Sequence, residues 1–129
     1  MILLLVLVAA FFIFRTPDTD RTEMIAKYGS EYSQFLEDGV GGKIHYRDEG
    51  NPDGTPILFI HGSNSMLQTW EPLVPLLGDR YRLILLDLHG HGLTGPHGKG
   101  DYSADTNIAA ATTVMDAVGV DKTFWVGSS

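Results

Sequence analysis

The sequence predicts an α/β protein built on a mainly parallel sheet. The continuous apolar run at 57–60 has the pattern of a strand that is buried on both faces, and YRLILLDL at 81–88 predicts another buried strand. A segment with helical features follows each of them, and a further run of β-forming residues stands at 122–126. Apolar strands that alternate with helices indicate a parallel sheet with helices packed on its faces.

An antiparallel hairpin is predicted before these strands. Two short segments, 36–40 and 43–47, flank a pair of glycines, and apolar residues alternate with polar ones in the second segment. This alternation indicates one buried face and places His45 on the solvent face. The stretch NPDGTP, residues 51–56, is rich in turn-forming residues and separates the hairpin from the first buried strand.

Two helices are predicted between the parallel strands. The first covers 66–77, where Pro72 and Pro75 are tolerated only in a first turn or at a kink. The second is capped by Ser103 at its start and by Gly119 just past its end. Its apolar positions recur at helical spacing: Ile108, Ala111, Met115 and Val118.

The N-terminal part of the chain divides into three predicted regions. Residues 1–14 carry no polar side chain and end before Arg15, and as a helix they would reach only about 21 Å of the ~30 Å hydrocarbon core. We expect a short membrane anchor, with a secretory signal or a buried core helix as alternatives. Residues 15–36 form a polar linker with a short helix at 21–28, and the α/β domain follows at 37–129. The protein is thus expected to be membrane-associated, or secreted after cleavage.

Composition excludes several classes of function. Nine basic residues face 16 acidic ones, which gives a net charge of −7 and no basic stripe, so nucleic acid is not expected as a partner. The chain has no cysteine, which excludes disulfides, thiolate catalysis and cysteine-based metal sites.

The loop after the first buried strand reads His61-Gly62-Ser63-Asn64-Ser65. A glycine directly after a buried strand lets the backbone turn sharply and expose its N–H groups, which can hold a developing oxyanion. The alternative is an ordinary strand-to-helix turn in which Ser63 or Ser65 caps the helix.

The loop after the second buried strand, 87–95, reads DLHGHGLTG and admits four interpretations. The His-x-His spacing of His89 and His91, with Asp87 and His97 nearby, would suit a metal ion. Asp87 would also suit the acid of a catalytic triad, and the glycines resemble a phosphate cradle. The fourth is a tight structural loop whose histidines bond to the backbone. Because a recognised ligand spacing is missing, the sequence assigns no metal site.

The third loop, Gly127-Ser128-Ser129, follows the last predicted strand. It matches the first three positions of G-x-S-x-G, the nucleophile elbow, in which the serine sits on a sharp turn with its Oγ exposed above the sheet. Glycine at the first position would keep side chains from crowding the turn. The pattern predicts Ser129, not Ser128, as a nucleophile.

Together these features resemble the α/β-hydrolase fold family over roughly residues 37–129. The resemblance is carried, in this order, by FIHGSNS, Trp70, DLHGHGLTG, YSADTNIAAATTVMDAVGV and FWVGSS. It implies the N-terminal portion of an α/β-hydrolase sheet, in which antiparallel first strands precede parallel strands with flanking helices.

The resemblance also implies roles for individual residues. The backbone N–H of Ser63 would be one oxyanion donor, and the residue after Ser129 would supply the second. The 87–95 loop would be structural, with Thr94 where relatives often have serine. His61 would fix its own loop near the oxyanion hole. The residues implied to support the site are His61, Gly62, Asn64, Gly127 and Ser128.

The family's chain order places the catalytic acid and histidine after the serine, whereas all five histidines here precede Ser129. We therefore expect the given chain to be incomplete and, by itself, without esterase activity above background. For the whole protein the resemblance implies a serine hydrolase that acts on a small acyl substrate through an acyl-enzyme, without a cofactor or metal. Family members that dehalogenate or open epoxides use an aspartate at the elbow, so Ser129 disfavours those activities.

Two other functions stay open on the sequence. One is a metallohydrolase that uses Asp87, His89 and His91, with His97 as a further ligand. The other is a membrane-anchored α/β module without catalysis, which binds a partner instead.

Overall fold

A five-stranded mixed sheet organises the chain in the computed structural model, which describes residues 2–15 and 19–129. Met1 of the predicted hydrophobic segment and 16–18 of the predicted linker lie outside the described residues. The elements are α1 (Ile2–Phe14), α2 (Arg21–Tyr28), β1 (Ser33–Glu37), β2 (Lys43–Gly50), β3 (Thr55–Ile60), a 3₁₀ helix (Leu67–Leu73), α3 (Val74–Leu77), β4 (Tyr81–Leu86), α4 (Ala104–Ala117) and β5 (Phe124–Gly127).

The strand order across the sheet is β1-β2-β4-β3-β5. β2 pairs antiparallel with both β1 and β4, whereas β3 pairs parallel with both β4 and β5. The predicted fold class, an antiparallel start followed by parallel strands with flanking helices, is therefore confirmed.

The register of the parallel strands brings their carboxyl ends to the same edge of the sheet. Ile60, the last residue of β3, pairs with Leu86 of β4 on one side and with Gly127 of β5 on the other. The loops that follow these three strands consequently begin side by side, at the edge of the sheet where parallel-sheet proteins bind their ligands.

The first hairpin strand lies earlier than predicted. β1 covers Ser33–Glu37 rather than 36–40, because Asp38 opens the turn and does not continue the strand. Its Oδ1 accepts the backbone N–H groups of Val40 and Gly42, each at 2.8 Å. This carboxylate-to-backbone bonding ends the ladder and closes the turn.

The core has two layers, one on each face of the sheet, because alternate residues of β3 and β4 point to opposite faces. One layer packs against α4 and contains Ile44, Tyr46, Leu58, Ile84, Leu86, Ala110, Ala111, Val114 and Met115. The other packs against the 3₁₀ helix and α3, and contains Phe59, Leu67, Leu83 and Leu85.

The predicted helix at 66–77 forms in two pieces. A 3₁₀ helix contains Pro72, and α3 begins anew with Pro75 in its first turn, where proline's missing N–H is not needed. The predicted helix at 21–28 agrees with α2, whose cap Asp20 accepts N–H bonds from Thr22 and Glu23.

Both predicted caps of α4 are confirmed. Ser103 Oγ accepts the N–H of Thr106 at 3.3 Å, and Gly119 adopts φ +68° one residue past the C-cap. Asp101 supports this start, since it accepts the N–H of Ser103 at 2.9 Å and the hydroxyl of Thr106 at 2.7 Å. The Ser103 N–H and the Thr106 hydroxyl together lower the pKa of Asp101 to about 2.

Acidification is expected to weaken the start of α4 through Asp101. Because its folded-state pKa is depressed, its stabilising effect is complete above the ordinary carboxyl pKa of ~3.9 and is lost as the pH falls toward 2. Asp101→Asn should lower the unfolding free energy at pH 7, and the gap to wild type should shrink between pH 4 and pH 2. Denaturant unfolding at several pH values measures this, with the exposed Asp121→Asn as control. A gap independent of pH would contradict it.

The predicted membrane localisation is wrong. The hydrophobic segment forms α1, but this helix has only 13 residues, which is about 20 Å of length against a ~30 Å hydrocarbon core. Within 2–15 and 19–129, no helix combines the length and apolar character that crossing a membrane requires. The alternative of a buried core helix is also wrong, since side chains from Leu3 to Phe14 are largely exposed.

Candidate functional site

Ser128, which belongs to the predicted elbow, contacts the loop that follows β3. Ser128 N–H donates to the carbonyl of Ile60 at 3.1 Å, and Gly62 N–H donates to Ser128 Oγ at 3.1 Å. A Cβ placed on Gly62 would lie 3.0 Å from the Ser128 carbonyl oxygen and 3.0 Å from the Ser129 carbonyl carbon. Only glycine therefore fits at position 62 without moving the backbone that carries Ser129.

The steric reason for glycine lies at Gly62 and not at Gly127. A Cβ on Gly127 would meet no atom of the described residues closer than the Ile60 carbonyl oxygen at 3.9 Å, which is ordinary contact. The predicted crowding at Gly127 is thus absent from the described part of the chain.

His61 fixes the backbone of the first loop and ties it to the second. Its ring is buried, and its Nε2 accepts the N–H of Leu88 at 3.1 Å. The proton of the neutral ring is therefore on Nδ1, which donates to the carbonyl of Gly62 at 2.8 Å. Ser63 is exposed in this loop, and Asn64 after it adopts φ 55°, a left-handed conformation that asparagine tolerates better than most residues.

Asp87 is the centre of a buried network that holds the second loop. Its Oδ1 accepts the N–H of Leu67 at 2.7 Å, and its Oδ2 accepts the N–H of Leu93 at 2.9 Å. The same Oδ2 lies 2.7 Å from Nδ1 of His45, and both side chains are fully buried. Gly92, at φ +48°, passes so close that a Cβ would collide with the carboxylate. Both oxygens of Asp87 are therefore engaged and buried.

The predicted solvent exposure of His45 is wrong. β2 lies inside the sheet, between β1 and β4, and residues 44–47 are all buried although they alternate in polarity. The face that carries His45 is covered by Phe35, whose ring stacks on it at 5.0 Å, and by the 87–95 loop. Thr94 completes the contact, since its Oγ1 accepts the N–H of His45 at 2.9 Å and donates to the carbonyl of Asp87 at 2.7 Å.

Ser33, His45 and Asp87 have the bonding order of a catalytic triad. With Nδ1–H donated to Asp87, Nε2 of His45 accepts the hydroxyl of Ser33 at 2.8 Å. Ser33 Oγ also accepts the N–H of Ser30 at 3.0 Å. The ring of His45 is inaccessible, and Asp87 is bonded to two backbone N–H groups. We therefore interpret the hydrogen bonds from Ser33 through His45 to Asp87 as a structural brace that joins β1, β2 and the 87–95 loop. The sequence does not predict this brace. The general tendency of buried polar groups to be hydrogen-bonded is the one signal that is consistent with it.

The structure does not bring together the predicted metal ligands. Asp87 is occupied by the network above, and His91 points its Nδ1 at the carbonyl of His89, 3.0 Å away. Of the predicted set, His89 and His97 converge, with ring centroids 4.7 Å apart. Asp38 lies beside them, and one ligand atom from each of the three residues lies within 4.8 Å of the others. Asp38 is absent from the predicted ligands because it belongs to the hairpin turn, far from the histidines along the chain.

Comparison with known proteins gives consistent matches. Residues 55–129 match the family described as alpha/beta hydrolase fold. The chain is 34% identical over 91 residues to a protein named haloalkane dehalogenase 2 from Mycobacterium bovis, covering 70% of this chain and 31% of the relative. It is 28% identical over 115 residues to a haloalkane dehalogenase from Psychrobacter cryohalolentis, covering 85% of this chain and 38% of the relative.

Among solved structures, the fold is similar to the Cif epoxide hydrolase from Acinetobacter nosocomialis. The TM-score is 0.69 at 27% sequence identity, covering 90% of this chain and 40% of the other. The chain spans about a third of the length of the curated relatives that it matches.

Proposed function

The chain belongs to the α/β-hydrolase fold family, and we propose that the protein it represents is a serine hydrolase with Ser129 as its nucleophile. The proposed substrates are small molecules with an acyl group, such as esters. Membership of the family supports hydrolysis in general, and the serine at the elbow supports the acyl-enzyme route in particular.

The observation that carries the proposal is the contact between the elbow and the loop after β3. The bond from Gly62 N–H to Ser128 Oγ and the absence of a Cβ at Gly62 set the two backbones side by side. An acyl-transfer site needs this arrangement, because the oxyanion donors must lie within a few ångströms of the carbon that the nucleophile attacks.

The proposed reaction has two steps. Ser129 Oγ attacks the acyl carbon while a base takes its proton, and the resulting oxyanion is held by the backbone N–H of Ser63. Collapse of this intermediate expels the alcohol, which takes up the proton, and leaves an acyl-enzyme. Water then attacks the acyl carbon and releases the acid and free Ser129.

The base and its orienting acid are proposed to lie beyond residue 129. Among the described histidines, His45 and His61 have both ring nitrogens bonded and are buried. The family order serine, acid, histidine supports the same placement.

A second candidate follows from the names of the relatives. Several are called haloalkane dehalogenases or epoxide hydrolases, so the protein is alternatively proposed to act on halides or epoxides. Ser129 argues against this, because in the family those reactions use an aspartate at the elbow.

Covalent labelling of the protein expressed from its full reading frame tests the first candidate against the second. A fluorophosphonate should add to one residue, and peptide mass spectrometry should place the adduct on Ser129. Ser129→Ala should abolish labelling and Ser128→Ala should retain it. Assays of ester cleavage, halide release and epoxide opening run in parallel. Halide release or epoxide opening without labelling would support the second candidate and contradict the first.

The role of Ser63 leads to a backbone-specific prediction. Ser63→Ala keeps the N–H and should change kcat/KM less than about threefold, whereas Ser63→Pro removes it and should lower kcat by about 10²–10³-fold. Steady-state ester hydrolysis measures both, and circular dichroism shows whether the proline variant is folded. Equal losses in the two variants would assign the effect to the hydroxyl and contradict the proposed donor.

A further inference from the structure

The turn after β1 and the loop after β4 bring together Asp38, His89 and His97, and we propose that these three residues bind a divalent transition-metal ion of the zinc class. Two imidazoles and one carboxylate are a donor set that suits Zn²⁺ and Co²⁺. The site is separate from the proposed nucleophile in its residues and does not depend on the proposed function.

The donor atoms are close enough to converge on one ion. One ligand atom from each residue lies within 4.8 Å of the others, and His89 Nε2 is 4.0 Å from Asp38 Oδ2. Ligands of a tetrahedral zinc ion, at 2.0–2.2 Å from the metal, stand about 3.4 Å apart. Movements of the three side chains, with a rearrangement of the 97–101 turn, would therefore bring the donors onto one ion.

Burial gives the second and independent argument. The side chains of Asp38 and His89 are each 3% exposed, and Asp38 Oδ2 and His89 Nδ1 have no hydrogen-bond partner among the described residues. Buried polar atoms without partners are costly, and a native structure usually pairs them. An ion held by Asp38 Oδ2 and by His89 Nε2, the nitrogen that faces the carboxylate, would give Asp38 Oδ2 its partner.

The carboxylate is already held in place for this role. Asp38 Oδ1 accepts the N–H groups of Val40 and Gly42, which leaves Oδ2 directed toward the histidines. Ligating carboxylates are commonly oriented by such outer hydrogen bonds. Because the turn fixes the carboxylate, little ordering is needed when the ion binds.

His97 must change its hydrogen bonding to become a ligand. Its Nδ1 accepts the N–H of Asp101 at 3.0 Å, so the neutral ring carries its proton on Nε2. Coordination through Nε2 moves that proton to Nδ1 and breaks the bond to Asp101. We therefore expect the 97–101 turn to rearrange when the metal binds.

The site opens on a cavity with room for the ion and a water ligand. This cavity has a volume of about 260 Å³, and beyond the three ligands it is lined by Lys99, Asp101 and Thr106, among others. A water molecule from the cavity would supply the fourth ligand of a tetrahedral ion. The ion would join the β1–β2 turn to the loop after β4, so binding should stabilise the fold.

Titration of the purified protein, expressed from its full reading frame without a histidine tag, with Co²⁺ tests the proposal. We expect one equivalent to bind with the visible absorption of a tetrahedral site, and Zn²⁺ to displace it and raise the Tm. Asp38→Asn, His89→Gln and His97→Gln should each weaken binding by at least about tenfold. The matched control His91→Gln changes the same loop outside the cluster and should bind like wild type. Circular dichroism of each metal-free variant reports whether it is folded.

NMR of the histidine rings provides a readout that needs no variant. Zn²⁺ should shift the ring signals of His89 and His97 and the amide of Asp101, and should leave those of His45 and His61 unchanged. Absence of binding by the wild-type chain would overturn the proposal. So would equal loss of binding in the His91→Gln control, or ring shifts confined to histidines outside the cluster.

Discussion

Ser129→Ala is expected to lower kcat for ester hydrolysis by at least about 10⁴-fold in the protein expressed from its full reading frame, with KM changed little. The hydroxyl of a nucleophilic serine forms its bond in the transition state, so its removal affects kcat more than substrate binding. Residual catalysis would come from the oxyanion donors and from substrate positioning alone. Steady-state assays with an activated ester, corrected for the uncatalysed rate, measure the loss of kcat.

Ser128→Ala is the matched control for this prediction. The two serines are neighbours, but Ser128 Oγ accepts the N–H of Gly62, whereas Ser129 is the proposed nucleophile of the G-x-S pattern. Loss of the one hydrogen bond should change kcat/KM only a few-fold. If Ser128→Ala were the inactive variant and Ser129→Ala the active one, the elbow would be one residue out of register and the assignment would fail.

The serine of the predicted elbow and the names of the relatives point to different reactions. An identity of 34% to a haloalkane dehalogenase shows common descent and fold, but it does not carry the reaction with it. The reaction depends on which atom attacks, and one substitution at the elbow replaces a carboxylate by a hydroxyl. The Ser129→Ala variant therefore also discriminates between the two candidate functions, because halide release that survives it cannot depend on that serine.

Features that depend on neighbouring residues were predicted well from the sequence. The apolar runs that became β3 and β4, and the caps Ser103 and Gly119, follow from local pattern and local hydrogen bonding. The strand β5, Phe124–Gly127, which leads into Ser128 and Ser129, also follows from local pattern, since the sequence predicts a strand at 122–126.

Features that depend on distant contacts were missed. Alternating polarity in β2 predicted a solvent face for His45, but the side chain is covered by a loop that belongs to another part of the chain. The cluster of Asp38, His89 and His97 has the same origin, since the hairpin turn reaches the loop after β4 only once β2 and β4 have paired. Short-range periodicity carries no information on such contacts.

Asp87→Asn is expected to be the most destabilising conservative substitution in the described part of the chain. The asparagine oxygen can still accept the N–H of Leu67, but its amide would then face the N–H of Leu93 and Nδ1–H of His45, which are both donors. The N–H of Leu93 and Nδ1–H of His45 would lose their acceptor, and the asparagine amide would add a third buried donor without one. Each unsatisfied donor costs about 1–3 kcal/mol. We expect a loss of about 3–5 kcal/mol in unfolding free energy, a large share of the stability of a small domain.

Urea unfolding followed by circular dichroism measures this loss, with Asp53→Asn as the matched control. Asp53 is exposed in the turn before β3, so the same change of charge there should alter the unfolding free energy by less than about 0.5 kcal/mol. Failure of the Asp87→Asn chain to fold while the control folds would agree with the prediction. A loss below about 1 kcal/mol in unfolding free energy would contradict the prediction, because the loop after β4 would then be held by other contacts. The brace from Ser33 through His45 to Asp87 would in that case not position the loops at this edge of the sheet.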